Sequence, residues 1–448
     1  MTDTLETLTQ ALLEAARKAG AEAADAVAVE GRSLAIDVRS GHLEQAERSE
    51  GLEIGLRVLM GRRQACVSAS DTRPETMAEM AARAVAMARE APEDPHVGLA
   101  EPGQLATAWD IATLEIDDPA PEPTPTALEE AARAAETAAL ALDGISMVES
   151  ASGGWGRQAV HLAATNSFSG GYARSGSSLS CVAITGEGTV MERDWAAESR
   201  VFAADLPDPA EVGRLAAERA LARAGARKPP TGPVPVLFDE RVAASLIGHL
   251  LAAANGTAVA RGASWLREAM GEAVLPRGLS LTENPHAPRL AASRPFDGEG
   301  LPTAPRALVE DGVLRGWVLD LATGRKLGLA STANAARGVS APPAPSPTNL
   351  RLTPGVHSRA ALMAEMGRGL VVTSLLGASI NPTTGDYSRG AAGFWVENGE
   401  VVHAVNECTI AGNLREMLRS LVPANDARPH ATCQVPSLLV EGLTLAGA

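Results

Sequence analysis

The run Gly369-Leu-Val-Val-Thr-Ser-Leu-Leu-Gly-Ala-Ser-Ile-Asn-Pro-Thr-Thr-Gly-Asp-Tyr-Ser-Arg-Gly-Ala-Ala-Gly-Phe-Trp-Val-Glu-Asn-Gly-Glu-Val-Val-His-Ala-Val-Asn-Glu-Cys-Thr-Ile-Ala-Gly-Asn-Leu-Arg-Glu-Met-Leu418 decides the fold. Leu370 to Leu376 is short, apolar and bounded by glycines, the pattern of a strand buried on both faces. Asn381 to Asp386 supplies a turn, because Pro382 fixes its own φ and Gly385 can take a positive one. Phe394 to Glu397 and Glu400 to Val405 flank Asn398-Gly399, which suits the two positive φ values of a type I′ hairpin. Asn413 then caps a helix from Leu414 to about Leu421.

Working outward, Val234 to Phe238 reads as a strand and Asp239 as the N-cap of a helix that Gly256 stops. From Val242 to Ala254 this helix is apolar on nearly every side, interrupted only by Ser245 and His249, which predicts burial at the centre of its domain. Asp311-Gly312 gives a second type I′ hairpin, and a polar, proline-rich loop runs from Ser331 to Pro347.

The N-terminal half repeats one order of elements. Leu5, Leu8, Leu12 and Ala16 mark a helix. Strands are predicted over 26–29, 34–38, 52–60 and 65–68, and Pro74 opens a second helix. After the stiff connector Pro119 to Pro125, a helix with Leu128, Ala132, Ala135 and Ala139 leads to strands over 145–148, 159–164, 179–184 and 189–199, and to a helix from Pro209. The glycines at Gly153-Gly154-Trp155-Gly156 and Gly186-Glu187-Gly188 lack phosphate-loop or dinucleotide spacing and read as turns. The fold class is α+β: helix, antiparallel meander and helix written twice, then a β-rich domain around a buried helix. Domains are expected at 1–118, 126–228 and 234–448, the first two packing as one unit.

With 448 residues the chain has ample core, and its net charge of -15 argues against nucleic acid as a partner. Met1 to Gln10 lacks the charge and apolar run of a signal peptide, and no apolar span is long enough for a bilayer, so a cytoplasmic protein with no membrane partner is expected. Cys66, Cys181, Cys408 and Cys433 are far apart and form no Cys-x-x-Cys pair, which favours reduced thiols.

His249 has no Glu before it and no second His one turn away, so a satisfied core histidine is expected. Asp386, Ser388 and Arg389, with Asn406 and Glu407, place polar groups among residues that otherwise build a buried sheet. They read either as an internal salt bridge or as a binding surface.

Gly385-Asp-Tyr-Ser-Arg-Gly-Ala-Ala-Gly393, Val396-Glu-Asn-Gly-Glu400 and Thr409-Ile-Ala-Gly-Asn413 resemble the signature of the TldD/PmbA family, in particular its PmbA (TldE) branch. Lys326 to Thr332, Met366 to Thr373 and Glu441 to Gly447 extend the resemblance through most of residues 234 to 448. In this family a TldD-type subunit holds zinc through a His-Glu-x-x-x-His helix and a later Cys, and pairs with a PmbA-type subunit as a cytoplasmic metalloprotease of small or unfolded peptides. Here the helix in the equivalent place reads Ile247-Gly-His249-Leu-Leu-Ala252, and only Cys433 occupies the place of a metal ligand. The resemblance therefore implies a chain with no catalytic residues and no metal of its own, zinc being held by a TldD-type partner. Asp386, Ser388, Arg389 and Asn406 are the candidates for lining a chamber that admits extended peptides. Two other readings remain: a non-enzymatic, chaperone-like homodimer that binds peptides, and a hydrolase using Cys433 or Cys408.

Overall fold

A computed structural model describes residues 2–447. The first unit comprises α1 (Thr2–Lys18), β1 (Ala23–Arg39), β2 (His42–Met60), β3 (Arg63–Ala69) and α2 (Pro74–Glu90). The second comprises α3 (Pro125–Leu140), β4 (Ile145–Ala164), β5 (Ser169–Thr185), β6 (Glu192–Arg200) and α4 (Pro209–Ala222). Each is a helix, a three-strand meander and a helix. β1 and β4 pair antiparallel from Asp25↔Ala164 to Val38↔Ala151, so the two meanders fuse into one sheet of order β3-β2-β1-β4-β5-β6.

Even-numbered residues of β1 share one face of that sheet. Ala24, Ala26 and Ala28 pack with α1 and α2, while Leu34, Ile36 and Val38 pack with α3 and α4. Val27 points the other way, into a cluster with Leu162, Phe168 and, from the C-terminal domain, Phe296. The layers are therefore four helices, a sheet, and the C-terminal domain.

This arrangement corrects the expected strands of the N-terminal half. Residues 26–29 and 34–38 are one strand, β1, and 145–148 and 159–164 are one strand, β4. The apolar pattern breaks at residues 30–33 because no helix covers that part of the sheet, not because the chain turns. Gly153, Gly154 and Gly156 are accordingly strand residues. At Gly153 a Cβ would come within 2.9 Å of the Leu128 carbonyl oxygen, so glycine lets α3 lie close on the sheet. Gly186 does turn, with φ +77°.

The C-terminal domain continues with β7 (Gly232–Phe238), α5 (Glu240–Ala254), α6 (Gly256–Ala260), β8 (Leu281–Glu283), β9 (Arg306–Glu310), β10 (Val313–Leu314), α7 (Leu321–Leu327), β11 (Ala335–Ala336), β12 (Ala344–Pro345) and β13 (Leu350–Leu352). It ends with α8 (Arg359–Met366), β14 (Gly369–Ile380), β15 (Asp386–Glu397), β16 (Glu400–Asn413), α9 (Leu414–Ser420), β17 (Val422–Pro423), β18 (Cys433–Gln434) and β19 (Leu438–Ala446). The main sheet has the order β16-β15-β14-β7-β19-β17, and a further β16–β19 pairing closes it into a ring. Leu370 and Val372 of β14 face the core that contains Leu246, Ile247 and Leu250 of α5, while Val371 packs under α8, so this strand is buried on both faces. Both hairpins have positive φ at both turn residues, Asp311-Gly312 and Asn398-Gly399.

The central helix departs from expectation. Gly248 and Ala252 are exposed and Ser245 and His249 half-buried, so α5 leaves one stripe of small residues open. The loop Ser331–Pro347 is also not free: β11 pairs with β12, and Arg337 reaches into the N-terminal sheet to Asp25.

Candidate functional site

A cleft of about 800 Å³ lies where β6, the edge strand of the N-terminal sheet, faces β14, β15 and β16. Met191, Glu192 and Trp195 line one wall, and Ser374, Leu376 and Asn406 the other. Asn406 spans it, its Nδ2 donating to Glu192 Oε1 at 2.7 Å. Trp195 is 48% exposed and Leu376 66% exposed, an apolar surface of the kind that marks a binding groove. The edge of β14 is open here as well. β14 pairs with β15 along its length but with β7 only over Leu370–Val372, so among the described residues no strand covers the other edge of Ser374–Ile380.

Of the four candidate residues the structure brings one to the cleft. Asn406 lines it. Ser388 is half-buried on β15 opposite Ala411 of β16, two residues before the cleft-lining Gly390, and does not itself line the cleft. Arg389 takes the opposite face, donating from Nε to the Gly377 carbonyl oxygen at 2.7 Å. Asp386 is exposed in the turn, where it accepts bonds from Thr384 Oγ1 at 2.6 Å and Asn413 Nδ2 at 3.0 Å. These bonds hold its carboxyl below the usual range. No salt bridge forms between Asp386 and Arg389, and of the set Ser388, Arg389 and Asn406 are half-buried while Asp386 and Glu407 are exposed. Met191, Glu192 and Trp195 escaped sequence reading, since they come from another domain. Their one local signal is an exposed Trp in a strand.

On α5, His249 stacks edge-on against Tyr387 with ring centroids 5.8 Å apart. Burial, with Arg389 adding to it, depresses its pKa. It is not the satisfied histidine expected: His249 Nε2 and Tyr387 Oη are both buried without a hydrogen-bond partner. Catalytic zinc usually needs three protein ligands and an open position. Among the described residues no group of three His, Cys, Asp or Glu could hold a metal ion, so the residues present do not fit such a site. Cys433, on β18, has its thiol pushed up to about 11 by burial, as has Cys408, whose Sγ donates to the Ala391 carbonyl oxygen at 3.1 Å. Burial thus disfavours the thiolate that a metal or a nucleophilic mechanism requires.

A fused, helix-backed double meander set on a closed strand ring that packs against α5 defines an α+β class of chain, here with an open cleft and, among the described residues, no group of three metal donors. Comparisons with known proteins name the class. Three family profiles match in order: PmbA/TldA metallopeptidase domain 1 at residues 24–88, the central domain at 118–224, and the C-terminal domain at 231–447. The chain belongs to the PmbA/TldD family, on its PmbA branch. It is 36% identical over 415 residues to Metalloprotease PmbA of Escherichia coli O157:H7, covering 92% of this chain and 90% of that protein. It is 35% identical to a Metalloprotease PmbA homologue of Haemophilus influenzae, covering 97% and 94%, and 24% identical over 212 residues to a Metalloprotease TldD homologue of the same organism, covering 46% and 43%. The solved structure of a candidate modulator of DNA gyrase from Bacteroides thetaiotaomicron superposes with a TM-score of 0.90 at 26% identity, covering 99% of this chain and 98% of that one. TldE from Thermococcus kodakarensis shares the fold, with a TM-score of 0.86 at 22% identity over 98% and 100% of the two chains. No helix among the described residues is long and apolar enough to cross a membrane.

Proposed function

We propose that this chain is the non-metal subunit of a heteromeric TldD/TldE-type peptidase, working in the cytoplasm with a TldD-type subunit that supplies zinc. The observation that carries this reading is the composition of α5. The helix that the family resemblance equates with the zinc helix presents Gly248, His249 and Ala252, and no three metal donors come together on or near it among the described residues. The occurrence of relatives from both branches in Haemophilus influenzae agrees with a two-subunit assembly.

In this reading the chain contributes chamber wall. The uncovered edge of β14 can accept an extended peptide as an added strand, so main-chain bonds carry affinity and side-chain preference is weak. Exposed Leu376 and Trp195 receive apolar side chains, and Asn406, held by Glu192, offers a polar contact. Arg389 and Asp386 act from outside the cleft, by fixing the ends of β14 and β15. A zinc held by the partner would supply the polarised carbonyl and activated water that hydrolysis needs, while this chain's residues bind and orient the peptide.

The test is peptide hydrolysis by the chain alone, by a TldD-type subunit alone, and by the two mixed, each with and without chelator. Activity is expected only in the mixture and only with metal. Zinc-dependent turnover by the lone chain refutes the reading. Peptide binding by the lone chain as a homodimer, unaffected by chelation and unchanged by the second subunit, would establish the chaperone-like alternative.

A further inference from the structure

A second, smaller cavity of about 280 Å³ lies between the N-terminal sheet and the C-terminal domain, near the low end of small-molecule pockets. One side is apolar, with Val27, Leu162 and Phe296. The other is lined by three arginines, Arg174, Arg294 and Arg337. Among the described residues neither Arg174 nor Arg294 is paired with a carboxylate. Arg174 donates to the Ala291 and Ser293 carbonyl oxygens at 2.7 and 3.3 Å, and lies 5.1 Å from the centre of the Tyr172 ring. Arg294 donates to the Ala335 and Ser346 carbonyl oxygens, both at 3.0 Å, and its Nε is buried without a partner. Arg337 has a side chain only 2% exposed, and its Nη2 is likewise unpartnered.

The acids nearby are already occupied. Asp297 accepts from the amides of Glu299, Leu301 and Ala335, and Glu283 from Arg306, Asn334 and Thr348. Asp25 is shared between Arg57 and Arg337. At the cavity wall itself three guanidinium groups, of Arg174, Arg294 and Arg337, thus meet one carboxylate, Asp297, with Glu283 behind them paired to Arg306, in a chain whose net charge is otherwise strongly negative. Burial without full counter-charge depresses the pKa of Arg294. A buried surplus of positive charge with free N–H groups is costly unless an anion completes it, and the planar guanidinium fork matches an oxyanion.

We propose that this cavity binds a small carboxylate carrying an apolar side chain, the chemistry shared by an acylated amino acid and the C-terminal residue of a peptide. The carboxylate sits against Arg174 and Arg294, and the side chain against Val27, Leu162 and Phe296. The cavity reaches the surface at exposed Ala336, which gives such a ligand a way in. The site is separate from the β14 cleft and does not depend on the zinc-subunit reading.

Calorimetric titration of the full chain tests it. N-acetyl-leucine should bind, while N-acetyl-leucinamide, isosteric but neutral, and inorganic phosphate, anionic but without an apolar group, should each bind at least ten-fold more weakly. Arg294→Gln and Arg174→Gln should each lower the affinity at least ten-fold. Arg174 is half-buried, so its variant keeps the test open if Arg294→Gln fails to fold, and the unliganded melting temperature monitors this. A tripeptide ending in free Leu then separates the sources: binding as tight as that of acetyl-leucine assigns a peptide C terminus, and loss of binding assigns the small acyl amino acid. Equal binding of acid and amide, phosphate binding as tightly as acetyl-leucine, or full affinity in Arg174→Gln would overturn the proposal.

Discussion

Among the places where the N-terminal sheet meets the C-terminal domain, two are built in different ways. At the loop Ser331–Pro347, Asp25 of β1 accepts from Arg57 Nε at 2.5 Å and from Arg337 Nε at 3.0 Å, all three side chains being no more than 5% exposed. Burial alone would raise the Asp25 pKa, but the two guanidinium groups hold it below its usual value. At the cleft, by contrast, the buried Arg241–Asp194 pair anchors one side, among the described residues only the Asn406–Glu192 bond spans from wall to wall, and apolar side chains are left in solvent. The first junction is satisfied internally and sets how the domains sit. The second keeps its strand edge and its apolar surface available. Geometry fixed at one seam is what permits the other to stay open without the domains drifting.

Removing the anion from the closed seam should give the largest effect. Asp25→Ala leaves Arg57 and Arg337 buried without counter-charge, and breaking such a network costs about 3–5 kcal/mol. Denaturant unfolding should show that loss, and a change below about 1 kcal/mol would mean that the seam is not what holds the domains. Gly55→Ala comes next. Its Cβ would fall 2.1 Å from the Val339 carbonyl oxygen, so the loop must move, at a cost of about 1–3 kcal/mol.

The closed seam also carries a pH signature. Glu299, facing Asp297, Asp320 and Arg57, is pushed from 4.5 up to about 8, chiefly by burial and then by the Asp297 charge. The folded protein therefore holds a proton that the unfolded chain releases, so the stability from this group is complete below pH 4.5 and lost as pH rises toward 8. The melting temperature should fall over that interval, and Glu299→Gln, which can still accept from the Leu321 amide, should flatten the slope. An unchanged slope would remove Glu299 from the account.

Much of this contrast was invisible in the sequence, for a definite reason. Periodicity reports which side of an element is covered, so it found β14, the two type I′ hairpins, the helix caps at Asp239 and Asn413, and the double helix–meander–helix order. It does not report what covers an element. β1 was therefore cut in two where the helix layer has a gap, and α5 was read as buried at the centre of its domain although Gly248 and Ala252 face out. Small residues look apolar whether they fill a core or open a surface. Pairings such as Arg337–Asp25 and Asn406–Glu192, 312 and 214 residues apart, leave no local mark. Asn406 was found because it is polar within an apolar strand, but its partner was not.

The smallest stability effects belong to the open seam, and there they carry the most information. Asn406→Ala removes one half-buried hydrogen bond, worth about 0.5–1.5 kcal/mol. Leu376→Ser changes a side chain already in solvent and should shift stability by less than about 0.5 kcal/mol. If the cleft is chamber wall, both variants should fold, associate with a TldD-type subunit, and yet lower peptide turnover by the mixture several-fold, chiefly through a raised KM, because what they touch is substrate and not metal. A Leu376→Ser protein that loses stability as Asp25→Ala does would show that the cleft is ordinary packing. One that keeps full turnover would show that peptides pass elsewhere. Only low structural cost combined with high functional cost fits a surface left open so that another chain can complete it.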